Sequence, residues 1–492
     1  MYSFIKQNIL LYFLFLYIFC LFFGAHDSFA QNNKNDDIGF IVFNPATQEV
    51  LEERNGQKKF IPASTAKLIY MKAALDLLGK DHQFLTKIYL TQTPQNNSVE
   101  GDLYLQGGGD PVLDNDHLKE MVDHLYNAGI RKIKGNFFYD DSLFITRTNI
   151  DPNQPQAASY NPGISALSSN FNRIQLDLNK DPQTQKIITT FKSISDFTTL
   201  TLNEIDLKIE PSEDPDDFKI FYQTNQLLDK DLSSNQPPIL GHWVISENLL
   251  SKYNQLWLPV QNPSLMTALL FRKLCLEKGI EINQPKPGTT PHEALLFDTH
   301  RSIPLGDIIS LILHYSNNMA AELVGLAASH QLEKDKILTL DQSSKKITEW
   351  MGTQAPFISW DNFYHNNHSG LSILSHHSPQ QMMGILHYIY LHNFSDNFIN
   401  FLSTYYIDNN QLLSYQAKTG TMYFVRSLAG FFKTRKNTVL GFVFFITNPA
   451  ERSLLDQLPN TLNIEPPPGS RPWRDHAYQT ENMLIQSWIE KY

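Results

Sequence analysis

The sequence predicts an α+β fold in which a body of helices and terminal strands is interrupted by a long, mostly β segment. Three observations predict it. Strand-like runs near 39–43, 49–54, 424–432 and 439–447 bracket the chain; helical stripes at 64–78, 305–314 and 319–328 lie inside them; and residues 92–300 carry mainly short strand signals. At 492 residues the chain holds roughly three domains' worth of polypeptide. With 42% apolar and 18% charged residues it can build a large core, which excludes disordered and fibrous classes.

Net charge is −10, from 40 basic and 50 acidic residues. That balance argues against nucleic acid as a partner and against polybasic attachment to anionic lipid. Residues 9–25 are free of charge, follow Lys6, and precede Ser28-Phe29-Ala30. This is the pattern of a secretory signal, residues 1–30, cleaved after Ala30; an uncleaved N-terminal membrane anchor is the competing reading. Under both the remainder is exported, to the periplasm, with at most peripheral membrane association. Cys20 lies in this segment behind Phe19, which speaks against lipid attachment, so Cys275 stands alone in the mature chain. No internal disulfide can form, and a small buried role in the helical pattern 269–276 is expected.

Taken in order, the hairpin 39–54 turns at Asn44-Pro45-Ala46-Thr47. The helix 64–78 carries Leu68, Met71, Leu75 and Leu78 on one stripe and stops at Gly79. The interrupting segment has strand signals at 103–105 and 137–139, one helix near 118–126, and an acidic, turn-rich patch at 211–217. Helices return after 305. Ser378-Pro379-Gln380-Gln381 is a capping box that opens another helix. Two strands around a turn at 434–437 follow, and a last helix ends near Tyr492.

Chemistry enters at Ser64-Thr65-Ala66-Lys67, which places a hydroxyl and an amine at i and i+3 of a helix start. Ser3-x-x-Lys6 and Ser343-x-x-Lys346 share the spacing, but only Ser64 follows Pro62-Ala63 at an apolar helix, where free backbone N–H groups could stabilise an oxyanion. Lys67 can act as a base only when neutral. Bringing its pKa from about 10.4 to about 7 takes roughly 4–5 kcal/mol of differential destabilisation, from burial and a second cation. Lys418-Thr419-Gly420-Thr421 supplies that cation, on a strand whose glycine admits a substrate backbone and whose lysine and threonines suit a carboxylate.

A third element is Ser316-Asn317-Asn318, a short polar loop between two apolar helices; Tyr315-Ser316-Asn317 is a rival frame with Tyr315 as the acid/base. Ser395-Asp396-Asn397 reads as a helix-cap signal. His365, His368, His376 and His377 cluster without an ordered metal-ligand spacing, and surface-loop histidines are the plainer reading. No metal or organic cofactor is implied.

With these elements in place the sequence resembles the D-alanyl-D-alanine carboxypeptidase/endopeptidases of the penicillin-binding protein 4 type, class C low-molecular-mass penicillin-binding proteins. The resemblance extends over residues 62–68, 107–111, 140–144, 165–167, 316–322, 369–372, 417–421 and 428–430. The run 318–322 favours Ser316 over Tyr315. The family fold implies a β-lactamase/transpeptidase-like catalytic domain, an antiparallel sheet flanked by helices, at 31–91 and 301–492. It also implies an inserted domain at 92–175 and 251–300 that carries a nested one at 176–250.

Carried over to these positions, the resemblance implies acylation of Ser64 by the D-Ala-D-Ala carbonyl of peptidoglycan stem peptides and by β-lactams. Lys67 would be the base and Ser316 the proton relay. Asn318 would hold the substrate amide, and Lys418, Thr419, Gly420 and Thr421 would bind the terminal carboxylate side, with the N–H groups of Ser64 and Thr421 as the oxyanion hole. Asp140 would meet the amino-bearing side chain of the peptide. The alternatives are a β-lactamase or esterase of the same fold, and a non-catalytic wall-binding relative. The sequence departs from the family before Lys418, where a Gly-rich segment is missing, and at His365-Asn366-Asn367-His368, where an acidic residue is usual.

Overall fold

Residues 37–43 alternate. Ile41 and Phe43 point to one face and Phe40 and Val42 to the other, yet all four are buried, so the strand needs cover on both sides. It lies in an antiparallel sheet of β1 (Asp37–Phe43), β2 (Val50–Arg54), β3 (Ser403–Tyr406), β4 (Ser414–Met422), β5 (Val425–Lys433) and β6 (Val439–Thr447), ordered β3-β4-β5-β6-β1-β2. The register Asp37↔Thr447 to Phe43↔Gly441 joins the two ends of the chain in one sheet. The computed structural model describes residues 36–181, 183–184, 187–215, 217–223, 238–407, 414–457 and 466–492. The expected signal, with Cys20, lies outside the described residues.

One face of the sheet is covered by α1 (Lys67–Leu78), α2 (Leu305–Tyr315), α3 (Asn318–Leu332), α4 (Leu340–Gln354) and α5 (Pro379–Asp396). The opposite face packs on α6 (Ser470–Lys491) through Trp473, Ile485, Trp488 and Ile489. Each such side chain, fully buried, contributes roughly 1.5–3 kcal/mol. Helix α1 sits at the centre of this layer: it buries nine consecutive residues, Lys67 to Leu75, rather than the single stripe expected. Two buried lysines result, and Lys72 pairs with Asp76 one turn on.

The capping box at the start of α5 forms as expected, with Ser378 and Gln381 exchanging side-chain and backbone hydrogen bonds. Asn397 ends that helix in the left-handed region, φ 55°. Helix α4 was not expected. Its inward face is Leu340, Ser343, Ser344, Ile347 and Met351, so two serines stand where a hydrophobic stripe would have announced a helix.

The interrupting segment forms three larger sheets. One runs Pro285–Pro287, Phe137–Asp140, Leu103–Gln106, Leu85–Leu90, Leu295–Arg301; a second runs Thr199–Leu202, Ile187–Ile194, Arg173–Lys180, Gln255–Pro259; a third joins Ile205–Glu210, Gly241–Ser246 and Ile220–Tyr222. Helices Asn115–Asn127 and Pro263–Lys278 share their core, where Cys275 is fully buried. The strand Leu85–Leu90 pairs with Leu103–Gln106 and Leu295–Arg301, so this sheet begins before the expected boundary at 91. Thr86, Ile88 and Leu90 face its core, and that alternation outweighs the polar run that follows. Arg173–Lys180, which runs across position 176, pairs with Gln255–Pro259, which lies beyond 250.

Candidate active site

Ser64 lies in a short 3-10 turn, Ala63–Ala66, that runs into α1. In a 3-10 turn residues three apart eclipse one another, so Ser64 and Lys67 still meet. The Lys67 Nζ donates to Ser64 Oγ at 2.9 Å, to Asn318 Oδ1 at 2.7 Å and to the Ser369 carbonyl at 2.9 Å. Burial, with the Lys418 cation adding to it, holds the Lys67 pKa well below the usual lysine range; Glu322 opposes both. A neutral amine three residues from a hydroxyl can take its proton.

The backbone at Ser64 is held between two glycines. Ala63 has φ 45°, which costs an alanine roughly 1–2 kcal/mol, and its carbonyl lies where a Gly370 Cβ would be, 1.9 Å away. From the sheet, Gly420 approaches so closely that a Cβ there would lie 2.7 Å from Ser64 N and 2.8 Å from Pro62 O. Ser427 Oγ adds a hydrogen bond to Pro62 O at 2.6 Å. Side chains at 370 and 420 are therefore excluded by backbone proximity.

Lys418 is buried on β4 and donates to the Thr419 carbonyl at 2.8 Å. Burial and the nearby Arg426 pull its pKa down to about 7. Strand β3 pairs only with residues 414–417 of β4, so among the described strands Lys418–Met422 has an open edge. Arg426 makes a buried fork to Glu481 on α6, 2.6 Å on each arm, and donates to Thr421 Oγ1 at 2.9 Å. No local pattern marks a pair 55 residues apart.

Ser316 is the corner between α2 and α3, in the left-handed region at φ 57°, and Asn317 caps α3 by accepting from Ala320 N at 2.9 Å. Asn318, the first residue of α3, spans Lys67 and the Tyr160 carbonyl, to which its Nδ2 donates at 3.0 Å. Tyr315 is 72% exposed and meets the His314 ring edge-on; it lines a neighbouring cavity rather than the cleft of Ser64. Glu322, one turn into α3, accepts from His368 Nδ1 (2.7 Å), His368 N (3.0 Å) and Ser369 N (2.8 Å). Burial alone would raise its pKa, but these bonds hold it below the ordinary glutamate value. Ser343, in α4, closes the chain with a bond to His368 Nε2 at 2.9 Å.

The histidines are buried rather than surface-borne, except for His376. His365 Nε2 and His377 Nδ1 lie 2.9 Å apart, and burial lowers both pKa values, that of His377 to about 3. The cleft, about 450 Å³, is lined by Ser64, Ser316, Asn318, Thr419 and Thr421, with Gln154 and Tyr160 reaching in from the interrupting segment. Sequence reasoning missed these last two, which lie in a loop without periodic pattern. Asp140 is not brought into this cleft: its carboxylate is buried, accepts from Gln106, Ser142 and Thr290, and borders a separate cavity with Gly107 and Gly108. Its bonds are spent on the fold, and they depress its pKa against the effect of burial.

Known proteins share this sequence and fold. The chain is similar to the D-alanyl-D-alanine carboxypeptidase of Actinomadura sp. (strain R39), 36% identical over 132 residues, a match that spans 26% of this chain and 24% of that protein. It is 24% identical to D-alanyl-D-alanine carboxypeptidase DacB of Haemophilus influenzae over 84% of this chain and 86% of the relative. The crystal structure of penicillin binding protein 4 (dacB) from Haemophilus influenzae superposes with a TM-score of 0.72 at 20% identity, covering 91% of this chain and 96% of that one. The same protein complexed with a β-lactam superposes at 0.66, again at 20% identity, over 86% and 95% of the two chains. The profile of the D-Ala-D-Ala carboxypeptidase 3 (S13) family matches residues 25–461, and the chain belongs to that family of serine DD-peptidases.

Proposed function

We propose that Ser64 attacks the carbonyl of the D-Ala-D-Ala bond in peptidoglycan stem peptides, at a chain end or in a cross-link, and that β-lactams acylate the same oxygen. The observation that carries this is the 2.9 Å contact of a fully buried Lys67 with Ser64. The Oγ–C bond forms as the Ser64 proton passes to Lys67; Ser316 relays a proton to the leaving amine as the C–N bond breaks; water then hydrolyses the ester and returns Ser64. Lys418, Thr419 and Thr421 take the terminal carboxylate. The N–H groups of Ser64 and Thr421 receive the oxyanion, an interaction worth about 3–4 kcal/mol per donor. The close approach of Gly420 supports this last reading, because it brings β4 against Ser64.

We also read the chain as exported to the periplasm after loss of residues 1–30. The six-stranded sheet and its helices form the catalytic domain, and an insert with a smaller nested one begins near residue 85. Labelling with a fluorescent penicillin followed by peptide mapping tests the assignment. Modification at Ser64, with release of D-alanine from a synthetic stem pentapeptide, is the expected result. Rapid turnover of a chromogenic cephalosporin without peptide hydrolysis would replace it with a β-lactamase.

A further inference from the structure

A neutral Lys67 has two N–H groups and one lone pair to share among its three contacts, and the chemistry of those contacts fixes where each goes. Asn318 Oδ1 and the Ser369 carbonyl can only accept, so they take the two N–H groups, at 2.7 and 2.9 Å. The lone pair is left facing Ser64 Oγ at 2.9 Å. The aim of the base therefore depends on what holds the two carbonyl oxygens. Asn318 is held through its bond to the Tyr160 carbonyl. Ser369 is held by Glu322, whose Oε1 accepts from Ser369 N at 2.8 Å while Oε2 accepts from His368 N at 3.0 Å and from His368 Nδ1 at 2.7 Å.

Glu322 and His368 are both fully buried, and the fold makes room for the imidazole. A Cβ at Gly325, three residues further along α3, would stand 2.3 Å from His368 Cγ. Ser343 of α4 meets Nε2 at 2.9 Å, and the Tyr70 ring of α1 lies edge-on at 5.0 Å. Glu322 acts on Lys67 in two opposed ways: its hydrogen bonds aim the amine, but its negative charge favours the protonated lysine, which cannot be a base. His368 attracts that same carboxylate, and Lys418 of β4 opposes the Lys67 proton from the sheet side. Tyr70 and His365 also face the pair; burial pushes the phenol pKa up and the imidazole pKa down, so neither adds a charge.

We infer that Glu322 and His368 are positioning residues for the base: Glu322 fixes the Ser369 carbonyl that orients the Lys67 amine, and His368 offsets the carboxylate charge so that Lys67 can lose its proton. This rests on the reading of Lys67 as the base that activates Ser64.

The test follows acylation of the full-length enzyme by fluorescent penicillin as a function of pH, reading the plateau rate and the position of the acid limb. Glu322→Gln removes the charge and turns an amide N–H toward the donors it served. Its plateau rate falls about tenfold or more, as a misaimed base implies, and its acid limb moves to lower pH by about half a pH unit or more. His368→Gln leaves the carboxylate without its partner, so the limb moves to higher pH by a similar amount. Glu322→Asp keeps the charge on a side chain one methylene shorter, so the rate falls while the limb stays; this mildest change also serves if circular dichroism shows either glutamine variant unfolded. A purely structural pair would not move the limb in opposite directions. Limbs that move the same way or stay put in the two glutamine variants overturn the inference, as does Glu322→Asp acylating at the wild-type rate. Absence of labelling at Ser64 in the wild type overturns the DD-peptidase reading instead.

Discussion

Gly420 lies against Ser64 so closely that a β-carbon on the glycine would stand 2.7 Å from the serine's amide nitrogen. The position of Ser64 is therefore set by a strand more than 350 residues away in sequence, and the absence of a side chain there is part of the cleft.

Gly420→Ala is expected to push the 3-10 turn away from β4. Its new methyl would also lie 2.2 Å from Ser427 Oγ. Misplacement by about an ångström costs roughly a hundredfold in rate, so the second-order rate of acylation by penicillin should fall by that order. An alanine variant that labels as fast as wild type would show that the close approach is irrelevant to chemistry.

Lys67→Arg keeps the charge but removes the base, because a guanidinium stays protonated near neutral pH. We expect no acylation of this variant by fluorescent penicillin, even though circular dichroism shows it folded. Labelling at the wild-type rate would reassign the base.

The two buried lysines give acylation a signed pH dependence. Lys67 must be neutral, so kcat/KM rises with pH on an acid limb set by its depressed pKa; Lys418 must be charged to hold a carboxylate, so binding weakens as pH passes about 7 in the free enzyme. The Lys418 charge is one cause of the depression at Lys67. Lys418→Met should accordingly shift the acid limb to higher pH while lowering the rate. A pH–rate profile in which the limb stays put or moves down would contradict the coupling.

Arg426→Met would leave Glu481 buried and unpaired, since the two form a fork with 4% and 2% exposure. Breaking one side of such a pair typically destabilises by about 3–5 kcal/mol, whereas replacing both partners by apolar residues is often near neutral. Urea denaturation should show a large loss for Arg426→Met and recovery of most of it in Arg426→Met/Glu481→Leu. If the double variant is as unstable as the single one, the loss comes from the missing fork itself and not from an unpaired buried charge.

Much of the site was legible because its chemistry is local or repeated in kind. Ser64 and Lys67 are three residues apart, Ser316 and Asn318 two apart, and Lys418 to Thr421 contiguous; spacing made each group a candidate, context set Ser64 apart from the other Ser-x-x-Lys runs, and the family resemblance favoured Ser316 over Tyr315 and assigned the roles. The strands at both ends of the chain were legible from their apolar runs. Helix α4 was not, because Ser343 and Ser344 occupy its buried face and are satisfied by Ser329, His368 and the His365 carbonyl, partners invisible to a hydrophobic pattern.

Sequence by itself determined which residues could react, since a hydroxyl, an amine and a carboxylate-binding strand are properties of residue type. Only the tertiary structure decided which of them lie together. It buried Lys67 beside Lys418, pressed Gly420 and Gly370 onto the nucleophile's turn, and kept Asp140 out of the cleft by spending its carboxylate on Gln106, Ser142 and Thr290. Burial, close backbone approach and competition for hydrogen bonds depend mostly on groups distant in the chain, and apart from Ser142 beside Asp140 no short window of sequence contains both partners.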